Sequence, residues 1–79
     1  MKRHPKYIWY YNDYGCWIKS DGEYGKTMYP GDSFNLRLSN ELIVPCHLGL
    51  NGQQLWYVEL GQYKVKLNLR KNEIYEIED

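Results

Sequence analysis

Apolar and polar residues alternate with a period of two along most of this chain, and that pattern leaves little room for anything but a β fold. In SFNLRLS, Phe34, Leu36 and Leu38 fall on one side, with Asn35 and Arg37 on the other. The matching inward set in LIVPCHLGL is Leu42, Val44, Cys46, Leu48 and Leu50. It is Trp56, Val58 and Leu60 in QLWYVEL, and Tyr63, Val65, Leu67 and Leu69 in QYKVKLNLRK. Successive residues of a strand face opposite sides of a sheet, so each run can lay one apolar face on a core. A helix would need apolar residues three and four apart, and no stretch supplies that spacing.

Turn residues separate the alternating runs. Asn51-Gly52 predicts a two-residue hairpin turn with positive φ at both positions. Asn12 to Gly15, Asp21-Gly22, Pro30-Gly31-Asp32, Ser39-Asn40-Glu41 and Gly61 mark further turns or breaks. Pro45 has no N–H to give to a ladder, so its position reads as an edge or a bend. Strands are expected over about 6–11, 16–20, 24–29, 33–39, 42–50, 54–60, 63–70 and 73–78. Seventy-nine residues make one domain near the lower limit for unaided folding. The expectation is therefore a single small domain over 1–79, an all-β SH3-like barrel of about six or seven short antiparallel strands. Closure would remove the sheet edges that invite aggregation.

The stretch from Tyr29 to Arg70 carries a Pro-Gly-Asp turn, an alternating strand, a longer strand, Asn-Gly, and then Leu55-Trp56-Tyr57-Val58. With the Gly-x-Trp element in Gly15 to Ile18, it is similar to a family of short domains of unknown function. That family occurs in Gram-positive bacteria, their plasmids, conjugative elements and phages. Tyr63-Lys64-Val65-Lys66-Leu67 departs from the family's final Gly-Leu-x-Val-Arg-Ile type strand. The resemblance implies a small SH3-like barrel from a mobile element with no assigned chemistry, and antagonism of a host factor, such as a defence nuclease, is one task for such a protein.

Charge and cysteine content narrow the functional classes. Ten basic residues balance ten acidic ones, so net charge does not point to a nucleic-acid or membrane binder. The charges are unevenly spread: Lys2, Arg3 and Lys6 make the start basic, and Glu73, Glu76, Glu78 and Asp79 make the end acidic. No apolar run approaches the roughly 20 residues of a membrane helix. Asn12 and Asp13 interrupt the aromatic start before a signal-peptide core could form, so a cytoplasmic protein with no membrane partner is expected. Cys16 and Cys46 have neither metal-ligand spacing nor a disulfide framework, and are expected as buried unpaired thiols.

No catalytic constellation stands out. Cys46 and His47 are strand neighbours that point to opposite faces, so they cannot act as nucleophile and base. His4 sits in the basic N-terminal segment. Asp13, Asp21, Glu23, Asp32 and Glu41 fall at turns, where carboxylates bind local backbone. The glycines fall singly, without a phosphate loop. No enzyme, metal or cofactor is expected.

Two surfaces remain. In Tyr7-Ile8-Trp9-Tyr10-Tyr11, Ile8 and Tyr10 can pack inward and leave Tyr7, Trp9 and Tyr11 as an exposed stripe. The other possibility is a central strand buried on both faces. Elsewhere Lys64, Lys66, Asn68 and Arg70 alternate outward, with Arg37 and Asn35 on another strand and Tyr57 near them by parity. Cations beside aromatic rings suit single-stranded nucleic acid, although lysine on a strand's solvent face is also ordinary protection against aggregation. The leading expectation is a non-enzymatic protein-binding module using Tyr7, Trp9, Tyr11 and Tyr57. The alternative is a single-stranded nucleic-acid or nucleotide binder using Arg37, Lys64, Lys66 and Arg70.

Overall fold

The alternating runs become eight strands in a computed structural model that describes residues 6–78. The strands are β1 (Lys6–Tyr11), β2 (Cys16–Ser20), β3 (Gly25–Thr27), β4 (Ser33–Arg37), β5 (Ile43–Leu50), β6 (Trp56–Leu60), β7 (Val65–Asn68) and β8 (Tyr75–Glu78). Lys2, Arg3, His4 and Asp79 lie outside the described residues. All eight strands join one antiparallel sheet in the order β3-β2-β1-β8-β4-β5-β6-β7. The all-β expectation holds, with two corrections. There are eight strands rather than six or seven, and the sheet is not closed into a barrel, because β3 and β7 each end it as an edge. The last strand in sequence is inserted between β1 and β4, a placement that local patterning does not specify.

The sheet curls instead of closing. Ile8, Trp17, Met28, Phe34, Leu36, Cys46, Leu48, Trp56, Val58, Leu69 and Ile77 form one buried cluster drawn from both arms. The Tyr10 ring lies 5.7 Å from Trp17 on β2 and 6.4 Å from Trp56 on β6, both edge-on, so it bridges strands that are far apart in the sheet order. Tyr75 joins from β8, 5.9 Å from Trp17.

The parity expected for β1 and for β4 to β7 holds, but burial fails at the rim. Leu42, Leu50, Tyr63 and Val65 have inward parity and are nevertheless exposed, Tyr63 at 83% and Val65 at 58%. Tyr63 lies in the β6–β7 turn, and among the described residues β7 has no strand beyond it. Pro45 sits in a central strand, contrary to the edge reading. Its carbonyl accepts from Gly61 N–H at 2.9 Å, so its nitrogen, on the same side, faces the turn where β6 has left the sheet. The return bond from residue 45 is lost, but the Gly61 carbonyl it would have met accepts from Lys64 N–H at 3.3 Å inside the turn, so no acceptor is left unpaired.

The turns follow side-chain chemistry. Tyr29-Pro30-Gly31-Asp32 is a type II turn with Gly31 at φ +99°, closed by Asp32 N–H to Tyr29 C=O at 3.0 Å. It docks on β5 through Gly31 N–H to Leu48 C=O and Leu48 N–H to Asp32 C=O. Asn51-Gly52 does begin the β5–β6 turn, but not as the expected two-residue type. The Asn51 carboxamide oxygen accepts from Gln53 and Leu55 N–H, at 2.8 and 3.0 Å, which widens the loop. The left-handed position then falls on Gln54, at φ 61°, and not on Gly52.

Glycine replacements should therefore separate by position. A Cβ on Gly52 meets nothing within 4 Å, so Gly52→Ala should leave stability unchanged or raise it by up to about 1 kcal/mol. Gly61, at φ +66°, should lose roughly 1–2 kcal/mol on replacement by Ala, and Gln54→Gly should gain a comparable fraction. Chemical denaturation of the three variants checks the order. A Gly52→Ala loss as large as that of Gly61→Ala would contradict this turn assignment.

Candidate functional site

β1 divides its residues between two faces. Ile8 is fully buried and Tyr10 packs on the core, which turns Tyr7, Trp9 and Tyr11 to the outer face of the sheet. Tyr7 and Trp9 are half-buried there, and Tyr11 is exposed. The register with β2 enlarges the stripe: Trp9 lies opposite Ile18 and Tyr11 opposite Cys16. Tyr14, in the following turn, brings its ring to 4.9 Å from Tyr11. The result is a patch whose members are uncharged, with Glu76 opposite Tyr7 on β8 at its border. Alternation identified its β1 half. Cys16, Ile18 and Tyr14 were missed, although the outward parity of Cys16 and Ile18 follows once Trp17 is placed inside.

Tyr57 does not belong to this patch. It also lies on the outer face, but on β6, four strands from β1 in the sheet order and on the arm that Tyr10 meets across the core, so it faces away from the β1 stripe. Its ring covers Gly49, directly opposite on β5, in the space a Cβ would occupy. Lys66 Nζ stands 5.0 Å over the same ring. The ring thus protects a glycine in the middle of the sheet.

The basic residues are not brought into one line either. Arg37 is held by Glu76 at 2.6 Å and Glu78 at 3.1 Å, so its charge is balanced across β4 and β8. Lys64 is in the β6–β7 turn with φ 53°, and Arg70 lies beyond β7, 3.7 Å from Glu73. Lys66 shares the outer face with Asn68, with Glu59 opposite it. Carboxylates interleave these cations on the sheet. Sequence alternation could not show this, since Glu76 and Glu78 reach Arg37 only through the insertion of β8.

Cys46 and His47 do face opposite sides: Cys46 is buried, and His47 is exposed. The imidazole instead meets a partner the sequence did not suggest, with Ser33 Oγ and His47 Nδ1 2.8 Å apart across β4 and β5. An open hollow of about 300 Å³ adjoins them, lined by Ser33, Asn35, Pro45 and His47. No group of three or more metal-ligating side chains occurs among the described residues. No helix among them is long and apolar enough to cross a membrane. At the β2–β3 turn, hydrogen bonds from Tyr24 and Glu23 N–H hold the Asp21 carboxyl below its ordinary pKa. Comparison with known families, curated proteins and solved structures finds no match.

The thiols are unpaired but not equivalent, which corrects the expectation that both are buried. Cys46 is 2% exposed, and burial pushes its pKa up to about 11. Cys16 is half-buried on the outer patch. Native protein should therefore react with a thiol reagent mainly at Cys16, and Cys46 should react only in denaturant. The raised Cys46 pKa also fixes a sign. The unfolded chain loses this proton near pH 9 and the folded one near 11, so stability should fall as pH rises through that window. Melts between pH 8 and 11 should show a shallower loss in Cys46→Val, and equal slopes would remove Cys46 as the cause.

Proposed function

We propose that the chain is a non-enzymatic binding module that holds a protein partner on the outer face of β1 and β2. The observation that carries this reading is the division of β1: Ile8 and Tyr10 satisfy the core, so Trp9 and Tyr11 are not needed inside. Large aromatic side chains standing among Cys16, Ile18 and Tyr14 are the type of anchor on which protein interfaces concentrate their energy. A single-stranded nucleic acid would want cations beside those rings. Of Arg37, Lys64, Lys66 and Arg70, only Lys66 stands over a ring, that of the distant Tyr57. The family resemblance favours a host protein as the partner, which the module would antagonise by occupying it.

The test is a Trp9→Ala, Tyr11→Ala double variant, assayed against a partner recovered from host lysate with the wild-type protein. It should fold, melt near the parent temperature, and bind at least about thirtyfold more weakly, roughly 2 kcal/mol. Replacing Lys64, Lys66 and Arg70 should change mainly association rate and salt sensitivity. Full binding by a folded double variant would place the interface elsewhere. Collapse of that variant would make the stripe part of the core. Steep, salt-dependent loss only in the lysine and arginine variant would favour nucleic acid instead.

A further inference from the structure

We infer that β7 is a self-pairing edge through which two copies of this chain join their sheets. The two edges of the sheet differ. β3 is three residues long and carries Gly25 and Lys26, a short and poorly templating strand. β7 is longer, and its inward face continues the apolar surface of β6 but leaves its first residue, Val65, exposed. Val65 is 58% exposed, Leu67 is half-buried, and Val65 lies directly opposite Leu60.

Hydrogen-bond phase determines which backbone groups this edge presents. Leu69 N–H donates to Trp56 C=O, so Leu69, and by alternation Leu67 and Val65, direct their backbone groups toward β6. Lys66 and Asn68 direct theirs away from it, and no strand lies on that side among the described residues.

A two-fold axis perpendicular to the sheet would pair β7 with its own copy antiparallel and keep like faces together. Four registers centred on a β7 residue satisfy that condition, and the one centred on Val65 sets Lys66 against Lys64 of the copy. Centred on Lys66, the two ammonium groups oppose each other, and the next pair needs Lys64, whose φ of 53° takes it out of the strand. Centred on Asn68, Lys66 faces Arg70 of the copy, again like against like. Centred on Leu67, every pair is compatible. Leu67 meets Leu67, Val65 meets Leu69, and Lys66 meets Asn68 on the outer face. Lys66 and Asn68 are also the residues with outward backbone groups, so this register forms two doubly bonded pairs and covers Val65 and Leu67. The balance of ten basic and ten acidic residues gives the copies no net repulsion. The edge selects a second copy as its occupant because one register satisfies both the hydrogen bonds and the side chains.

Sedimentation and backbone amide exchange should be followed from about 1 µM to about 1 mM, the range in which a weak dimer forms. The expected result is a monomer–dimer equilibrium, with Lys66 and Asn68 amides exchanging at least tenfold more slowly at the concentrated end. Lys66→Pro removes an outward N–H and leaves the β6 pairing intact, so it should be monomeric throughout. Val65→Lys, which places charge on the covered apolar face, should be monomeric too, and serves if the proline variant does not fold. A wild type that is monomeric at 1 mM would overturn the inference. So would a dimer that survives Val65→Lys, or Lys66 and Asn68 exchange that does not change with concentration.

Discussion

One side chain, Tyr10, sets the curvature on which the rest of the domain depends. The eight-stranded sheet is open, and left flat it would bury little. By touching Trp17 on one arm and Trp56 on the other, Tyr10 folds the sheet over its own inner face. Aromatic rings are well suited to this, since a single Tyr, Trp or Phe can bury roughly 150–250 Å². The other core residues, from Ile8 to Ile77, fill the space between the two arms.

The same constraint produces the surface to which function is assigned. Once Tyr10 is inside, the pleat sends Trp9 and Tyr11 outside, and the β1–β2 register sets Ile18 and Cys16 beside them. The remainder of the outer face is occupied locally: Arg37 by two glutamates, His47 by Ser33, and Tyr57 by Gly49 and Lys66. Curvature also leaves a cost at the far arm, where no described residue covers Val65 at the inward start of β7.

All eight strand positions, and the parity of β1 and of β4 to β7, were legible in the sequence, because period two is a local signal. So was the turn at Pro30-Gly31-Asp32, whose geometry depends on one proline and one glycine. Three features were not legible, each because it depends on pairing between segments far apart in sequence. The place of β8 between β1 and β4 decides that Arg37 is neutralised. The end of β6 at Leu60 decides that Pro45 leaves no acceptor unpaired in mid-sheet. The edge position of β7 decides that Val65, correctly read as inward, is still exposed. Asn51 is a different case, in which a side-chain hydrogen bond selected a wider turn than the Asn-Gly pair suggested.

The central claim is that β1 presents Tyr10 to the core and Trp9 to solvent. Hydroxyl-radical footprinting of the native protein, read at each of the three tryptophans, tests it most directly. Trp17 is fully buried and Trp56 is 7% exposed, whereas Trp9 is only half-buried on the outer face. Trp9 should be oxidised well ahead of both others, and all three should react alike in denaturant. Protection of Trp9 equal to that of Trp17 in the native protein would contradict it.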